Sequence, residues 1–378
     1  TKLFEAAVLP AVLLLRKKDN SHVRKGGTRF TSVYSCQASG KHVARAEEII
    51  DVVEECGRFT LPNASTYRVR QGKLDAGQAP RDVWRLSTPE HDAWLRCVDK
   101  HTGLRFADVG KIRVGVKTTA DRVFIRSDWH ELPKSDQPEL LRPLITHHNA
   151  RRFRARSTEQ PKQILYTHGV EDGCRAAVDL SEYPRAQRYL ETHRDQLEAR
   201  TYVKRAGREW FEIWVPQDPL AWNRPKLVFR DISKEPTFWM DLSGAVVNGD
   251  CYWMTASNPE DERLLWTAMG VANSRFIEAY YDARFNNKLY AGRRRFMTQY
   301  VEAFPLPPRD SRQAKQIEEC SRAIFDSMRL ADCAGLQSEL NEVVASAFGL
   351  DVEELTPSQA GEPFRPGQLK KGGKPSCS

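Results

Sequence analysis

The alternation of hydrophobic and polar residues at the start of the chain predicts two β-strands. Apolar residues run from Leu3 to Leu15 with an interruption at Pro10, as in a buried or edge strand. Thr28 to Cys36 alternates like a second strand. Because two strands do not form an independent domain, we expect this hairpin to be the end of a larger sheet. The chain starts with Thr1 rather than Met, which agrees with that expectation.

The pattern then becomes helical and afterwards changes to short β-rich runs. Val43 to Gly57 and Glu90 to Lys100 have apolar residues at helical spacing. Two longer stretches, Tyr183 to Arg200 and Pro259 to Asp282, are also predicted to be helical. The predicted strands between them are Val114–Val116, Val123–Ile125, Gln163–Thr167, Trp210–Val215, Lys226–Phe229, Phe238–Asp241 and Cys251–Thr255. This mixture predicts an α+β domain.

A run of prolines ends that domain. Pro305 to Pro308 contains three prolines and breaks any regular element. Ser311 to Leu330 and Leu336 to Phe348 then have the amphipathic spacing of helices. From Thr356 onward Pro, Gly, Ser and Lys predominate, which is typical of a disordered tail.

Charge is concentrated in three segments. The chain has 58 Lys and Arg against 50 Asp and Glu, a net charge of +8. Lys111 to Arg156 carries +6, Arg200 to Arg230 carries +4 and Arg284 to Arg295 carries +5, so the rest of the chain is acidic. A polyanion needs such a local concentration of positive charge. The distribution therefore favours a nucleic-acid partner, although solvated surface faces also give charged runs.

Other chemistries have little support in the sequence. The eight cysteines form no CxxC pair, which agrees with free thiols in a reducing cytoplasm. There is no glycine-rich cofactor loop between a strand and a helix and no G-x-S-x-G nucleophile motif. His147-His148 is interpreted as a polar loop, and Asp231, Lys234 and Glu235 as a chance approximation to a metal nuclease. The longest apolar run has about half the ~20 residues that span a membrane.

The basic segments contain residue types that bind DNA. Lys and Thr on a turn can contact phosphates, Arg can reach guanine edges, and Asn can pair with adenine. Each residue by itself also fits a solvated surface role. The candidate DNA-binding residues are Lys117, Thr118, Thr119, Arg122, Arg151, Arg152, Lys204, Arg205, Asn286, Asn287, Lys288, Arg293, Arg294 and Arg295.

Four passages resemble one protein family. Leu3 to Lys17 is similar to the final strands of a methyltransferase domain, and VGVKTTADRVFI (Val114 to Ile125) matches the pattern G-x-x-T-x-x-(N/D)-x-x-F that opens a target recognition domain. Tyr183 to Pro308 follows that domain to its end, and Leu340 to Leu355 is similar to a terminal helix. In these passages the chain resembles the C-terminal part of the TaqI-like, adenine-specific DNA methyltransferases of restriction-modification and phage-defence systems.

The resemblance implies a DNA-reading fragment. The family's Asn/Asp-Pro-Pro-aromatic motif and S-adenosylmethionine loop lie upstream of the matching segment, and Asn258-Pro259 here is followed by Glu260. We therefore expect no catalytic, cofactor-binding or metal-binding residue in this chain. Its partners would be double-stranded DNA and a catalytic domain of the same polypeptide that uses S-adenosylmethionine to methylate a flipped adenine. The fragment by itself is not expected to be an enzyme or a membrane protein.

The implied organisation has five parts. They are a methyltransferase-domain remnant (1–60), a connecting segment with a short helix (61–105), the target recognition domain (106–308), C-terminal helices (309–355) and a disordered tail (356–378). Two alternatives remain open. The parent protein could be a fused restriction endonuclease and methyltransferase. The chain could also be a non-catalytic interaction module that binds a protein through the helices from Ser311 to Phe348.

Overall fold

A computed structural model describes residues 28–36, 43–75, 85–87, 89–285, 293–327 and 333–352. The predicted strand Leu3–Leu15 and the tail from Thr356 lie outside these residues. The chain divides into two compact units. One comprises Thr1–Cys97, Tyr280–Ala291 and Ser358–Ser378, and the other comprises Val98–Ala279 and Gly292–Pro357.

The first unit contains a five-stranded sheet organised around one long strand. Its strands are β1 (Arg29–Ser35), β2 (Ala44–Arg45), β3 (Gly57–Thr60), β4 (Thr66–Asp75) and β5 (Arg85–Ser87). β4 pairs antiparallel with β1 along one edge and with β3 and then β5 along the other, while β2 pairs with β3. A small core of Val52, Phe59 and Val69 lies within this unit. The strand predicted at Thr28–Cys36 is confirmed.

The prediction of a helix at Val43–Gly57 is wrong. The segment forms β2, one 3-10 turn at Ile49–Val52 and the start of β3. β2 pairs with β3, with Ala44 opposite Phe59. The tertiary pairing of the strands overrides the helical spacing of the apolar side chains. β3 and β4 also pair with each other, so the domain boundary expected at residue 60 lies between two strands of one sheet.

The second unit has two main sheets. Helix α1 (Pro89–His101), as predicted at Glu90–Lys100, contributes residues to both units. The strands are β6 (Leu104–Arg105), β7 (Ile112–Val114), β8 (Ile125–Arg126), β9 (Leu141–Ile145), β10 (Phe153–Arg154), β11 (Gln163–Leu165), β12 (His168–Glu171), β13 (Cys174–Ala177), β14 (Lys226–Arg230), β15 (Ile232–Ser233), β16 (Phe238–Asp241), β17 (Val246–Val247), β18 (Cys251–Met254), β19 (Arg294–Arg295) and β20 (Pro305–Leu306). One main sheet has the order β10-β16-β14-β18-β7 and the other has the order β17-β9-β11-β8, while β12 and β13 form a separate ladder.

Apolar runs explain the centre of the larger sheet. β14 and β16 are buried along almost their whole length and pair antiparallel, with Val228 opposite Trp239. A strand covered on both faces has such a continuous apolar sequence. The strands predicted at 226–229, 238–241 and 251–255 are therefore confirmed. Four fully buried tryptophans fill the core of the unit: Trp129, Trp222, Trp239 and Trp253.

Ten short and medium helices follow α1 within the described residues. They are α2 (Phe106–Val109), α3 (Asp121–Phe124), α4 (Pro184–Glu191), α5 (Arg194–Glu198), α6 (Thr201–Arg205), α7 (Glu262–Asn273), α8 (Arg275–Arg284), α9 (Thr298–Val301), α10 (Arg312–Asp326) and α11 (Cys333–Ala347). α10 packs on α7 and α11. Ser311 caps α10 by accepting a hydrogen bond from the Ala314 N–H at 3.1 Å. The fold is mixed α+β with helices at its C-terminal end, as predicted.

Some predicted elements differ from the structure. Tyr183–Arg200 is divided into α4 and α5, and most of Val123–Ile125 belongs to α3 rather than to a strand. Trp210–Val215 forms no strand, and Val215 alone pairs with Lys117. Carbonyl groups in that segment accept hydrogen bonds from the Arg200 side chain instead of from a neighbouring strand. No helix in the described part of the chain is long and apolar enough to cross a membrane.

Candidate nucleic-acid interface

The first candidate site is the turn between β7 and α3, formed by Lys117, Thr118 and Thr119 and called the 117–119 turn below. Lys117 is exposed, and its backbone exchanges two hydrogen bonds of 3.0 Å with Val215. Thr118 is fully buried; its hydroxyl donates to Asp121 and accepts from the Ala120 N–H at 3.1 Å. Thr118 therefore stabilises the turn from inside and does not offer its hydroxyl to a ligand.

Thr119 has a strained backbone at the exposed end of this turn. Its φ is +59°, in the left-handed region that β-branched residues rarely adopt. Such a conformation costs on the order of 1–3 kcal/mol and is often found at functional sites. The Thr119 hydroxyl donates to its neighbour's carbonyl at 2.5 Å. The turn thus presents an exposed cation and an exposed hydroxyl on a fixed backbone.

Arg200 supports the 117–119 turn from the interior. It is only 6% exposed, and its guanidinium donates to the carbonyl oxygens of Thr118 at 2.9 Å, Glu212 at 3.0 Å and Trp210 at 2.6 Å. The same guanidinium lies 5.6 Å from the centre of the Phe124 ring. Burial lowers the pKa of Arg200. This arginine belongs to a predicted basic segment, but it positions the turn and adds no cation to the surface.

The segment 247–250 connects the 117–119 turn to the loop that contains His147. Val116 pairs with Asn248, whose N–H donates to the Ile145 carbonyl at 2.8 Å. His147 contacts Asp250 with 2.5 Å between Nδ1 and Oδ2, and its ring lies 3.9 Å from that of His148. The pKa of His148 is lowered, first by the neighbouring His147 and then by burial. These histidines lie beside the turn and pair with a carboxylate and with each other.

Two of the predicted arginines are directed into the protein. Arg152 lines a cavity of about 200 Å³ together with Glu235 and Glu278, and burial lowers its pKa while both carboxylates oppose that shift. Arg294 is 8% exposed, donates to the Lys234 carbonyl at 2.6 Å and lies 4.0 Å from Glu278. Both arginines therefore have acidic neighbours inside the fold, which is a structural role.

The remaining candidates that the structure describes are exposed, and two of them have acidic partners. Lys204 pairs with Glu198 at 2.9 Å. Arg295 donates to Asp231 at 3.2 and 3.4 Å, and these hydrogen bonds raise its pKa. The other exposed cations are Arg122, Arg151, Arg205 and Arg293. Asn286, Asn287 and Lys288 lie outside the described residues.

Arg200 is the functional side chain that sequence reasoning missed. The sequence assigns Arg200 to a basic surface segment, because an arginine beside Thr201 and Lys204 has no local sign of burial. Its hydrogen bond to the Thr118 carbonyl spans 82 residues of sequence, so only the tertiary structure identifies its role at the turn.

Asn258-Pro259 does not fit the catalytic motif of the family that the sequence resembles. The single Asn-Pro pair, Asn258-Pro259, begins a 3-10 turn before α7, and the Asn258 amide donates to Asp261 at 3.3 Å. That amide is already engaged in a local turn, and the sequence around it lacks the second proline and the aromatic residue. Among the residues that the structure describes, no group of three or more His, Cys, Asp or Glu side chains could hold a metal ion.

Exposed cations and hydroxyls on the loops of this α+β domain are groups that can contact a polar or charged partner. Residues 160–306 match the family described as the TaqI-like C-terminal specificity domain. The resemblance to TaqI-like proteins that the sequence predicts is confirmed over these residues.

Longer proteins contain similar sequences. Type II methyltransferase M.BanIII of Aneurinibacillus aneurinilyticus is 34% identical over 359 residues, which cover 93% of this chain and 62% of that protein. Type II methyltransferase M.PaeR7I of Pseudomonas aeruginosa is 28% identical over 278 residues, or 70% of this chain and 46% of that protein. The type IIL restriction-modification enzyme MmeI, solved in complex with DNA, matches 76% of this chain and 41% of its own with a TM-score of 0.48 and 14% identity. The chain thus spans only part of the length of each relative.

Proposed function

We propose that this chain recognises a specific site in double-stranded DNA and holds it so that a catalytic domain can methylate an adenine. The observation that carries the proposal is the 117–119 turn, in which a buried arginine fixes a backbone that presents Lys117 and Thr119 to solvent. The match to a specificity domain and the relatives that are type II methyltransferases support it. We place the protein in the cytoplasm, where its DNA would be.

The types of side chain at the surface indicate which residues would contact phosphates and which would read bases. Lys117 would contact phosphate oxygens and fix the register of the duplex. Arg151 is exposed, and the planar fork of an arginine can read the edge of a guanine. The methyl transfer, with S-adenosylmethionine as donor, would take place in the catalytic domain. Extrusion of the adenine from the stack would bring its amine to that domain.

Binding to duplex DNA tests the proposal. The 378-residue chain is mixed with a pool of random duplexes, bound molecules are sequenced, and the affinity for the enriched site is measured from low to high salt. We expect one enriched motif and a logarithm of affinity that falls linearly with the logarithm of salt concentration, by about 0.9 for each phosphate contact. No enriched motif together with salt-independent binding would contradict the proposal.

A matched pair of variants tests the role of the turn. Lys117→Gln removes one exposed cation at the turn, and Lys315→Gln removes one from the exposed face of α10. We expect the first to reduce the salt slope by about one and the second to leave it unchanged. Equal slopes for the two variants would show that the turn does not contact DNA.

A further inference from the structure

A second cavity in the same unit is lined by cations that were not among the predicted DNA-binding residues. It has a volume of about 230 Å³. We call it the Lys111 pocket, and its lining residues are Lys111, Arg113, Arg224, Thr255, Ala256 and Ser257. Lys111 precedes β7, Arg113 lies within β7, and Arg224 precedes β14, so three separate positions bring positive charge to one concave surface.

The walls of the Lys111 pocket are held rigidly. The Ser257 N–H donates to the Val109 carbonyl at 2.8 Å, which ties the loop after β18 to the segment before β7. Gly110 makes this approach possible, since a Cβ at that position would lie 1.9 Å from the Thr255 carbonyl oxygen. β18 and β7 then continue as paired strands, with Trp253 opposite Arg113. The pocket is therefore preorganised by backbone contacts.

Both guanidinium groups are anchored and keep donors to spare. Arg113 lies 5.4 Å from the centre of the Trp253 ring and donates to the Lys111 carbonyl at 3.2 Å. Arg224 donates to the Ala256 carbonyl at 2.7 Å and has Glu262 at 3.8 Å. A guanidinium has five N–H donors, of which these contacts use only a part. Lys111 is exposed.

We propose that the Lys111 pocket binds a phosphate group, namely a phosphodiester of the DNA backbone. Cations held around one cavity repel each other, and the Arg224–Glu262 pair at 3.8 Å compensates only part of their charge. An oxyanion supplies the missing negative charge and accepts hydrogen bonds from the guanidinium groups and from the hydroxyls of Thr255 and Ser257. The inference rests on the proposed function and adds a second anchor for the same duplex.

A phosphate anchor has a definite signature in binding. The variants are Lys111→Gln and Arg113→Gln, with Lys315→Gln as the control that removes the same charge elsewhere. We expect each pocket variant to weaken binding to all duplexes by a similar factor, to reduce the salt slope by about one and to leave the enriched motif unchanged. Lys111→Gln combined with Lys117→Gln should reduce the slope by about two, because separate phosphate contacts add.

The outcomes separate this inference from the proposed function. If the wild-type chain binds with a steep salt slope and the pocket variants behave like Lys315→Gln, the pocket inference is overturned and the proposed function stands. If the wild-type chain shows no salt-dependent binding, the proposed function fails and the anchor fails with it. Because Arg113→Gln also removes the contact with Trp253, the thermal unfolding midpoint of each variant is measured, and the exposed Lys111→Gln decides where Arg113→Gln is unstable.

Inorganic phosphate distinguishes the two sources of the ligand. At equal ionic strength, exchange of chloride for phosphate should compete with DNA more strongly in the wild-type chain than in Lys111→Gln. If phosphate raises the unfolding midpoint of the wild type but not of Lys111→Gln, while both bind DNA with the same slope, the pocket holds free phosphate and the assignment to the DNA backbone is overturned.

Discussion

Removal of the Arg200 guanidinium is expected to destabilise the second unit strongly. The guanidinium makes hydrogen bonds to four carbonyl oxygens: those of Leu197, Thr118, Glu212 and Trp210, at distances from 2.6 to 3.2 Å. A buried acceptor that loses its donor costs about 1–3 kcal/mol. The Thr118 and Leu197 carbonyls keep a second donor, the Thr119 hydroxyl and the Arg200 backbone N–H. Water also reaches part of this site in a variant, so we take the lower limit for the other two carbonyls and expect Arg200→Gln to cost about 2 kcal/mol.

Urea unfolding followed by tryptophan fluorescence measures this cost. We expect a lower midpoint with an unchanged slope in denaturant, since the surface exposed on unfolding stays the same. Arg200→Lys keeps the charge but not the planar fork, and we expect about half the loss. Arg205→Gln, a matched change at an exposed position, should alter the stability by less than about 0.5 kcal/mol. A cost below about 1 kcal/mol for Arg200→Gln would refute the reasoning, because the acceptors would then not depend on this side chain.

Two further predictions concern packing and pH. Gly270→Ala should reduce the free energy of unfolding by about 1–3 kcal/mol, because the new Cβ would lie 2.4 Å from the Ser321 hydroxyl oxygen. The control Gly335→Ala places its Cβ with no atom within 4 Å and should not lower the unfolding midpoint. Burial lowers the pKa of His168 from 6.5 to about 4 although Glu212 opposes the shift. Only the unfolded state gains a proton between these values, so stability should fall as the pH drops from 6.5 to 4; His168→Gln should show a shallower fall in the same titration, and parallel curves would contradict this.

Elements that are apolar on both faces could be predicted from the sequence. The strand Phe238–Asp241 begins and ends where the sequence predicts, because all four of its residues are buried. The failures occur where a side chain substitutes for a backbone partner. Trp210–Val215 has a strand-like sequence, but its carbonyls bind Arg200. Asp121–Phe124 turns into a helix directly after the 117–119 turn, where the Thr118 hydroxyl bonds to the Asp121 carboxylate and the Ala120 N–H and the Thr118 carbonyl accepts from Arg200.

The candidate site could be predicted only as a set of segments. Arg151 and Arg152 are adjacent in sequence, yet the first is exposed and the second lies against Glu235 and Glu278 from distant segments. For Arg294 and Arg295 the alternation of a strand predicts that one faces inward, and Arg294 does. Residue type and local charge therefore identify which loops are basic, whereas burial decides which cations are available to a ligand.

The hydrogen bonds that hold the 117–119 turn involve mainly its backbone. Arg200 and Val215 contact main-chain atoms of Lys117 and Thr118, and both the Lys117 and Thr119 side chains are exposed. The scaffold is therefore indifferent to which side chains occupy those two positions, within what a left-handed φ at residue 119 permits. A library randomised at 117 and 119, with Thr118 and Arg200 kept, is thus expected to vary how tightly the proposed duplex is held while the fold of the turn is retained.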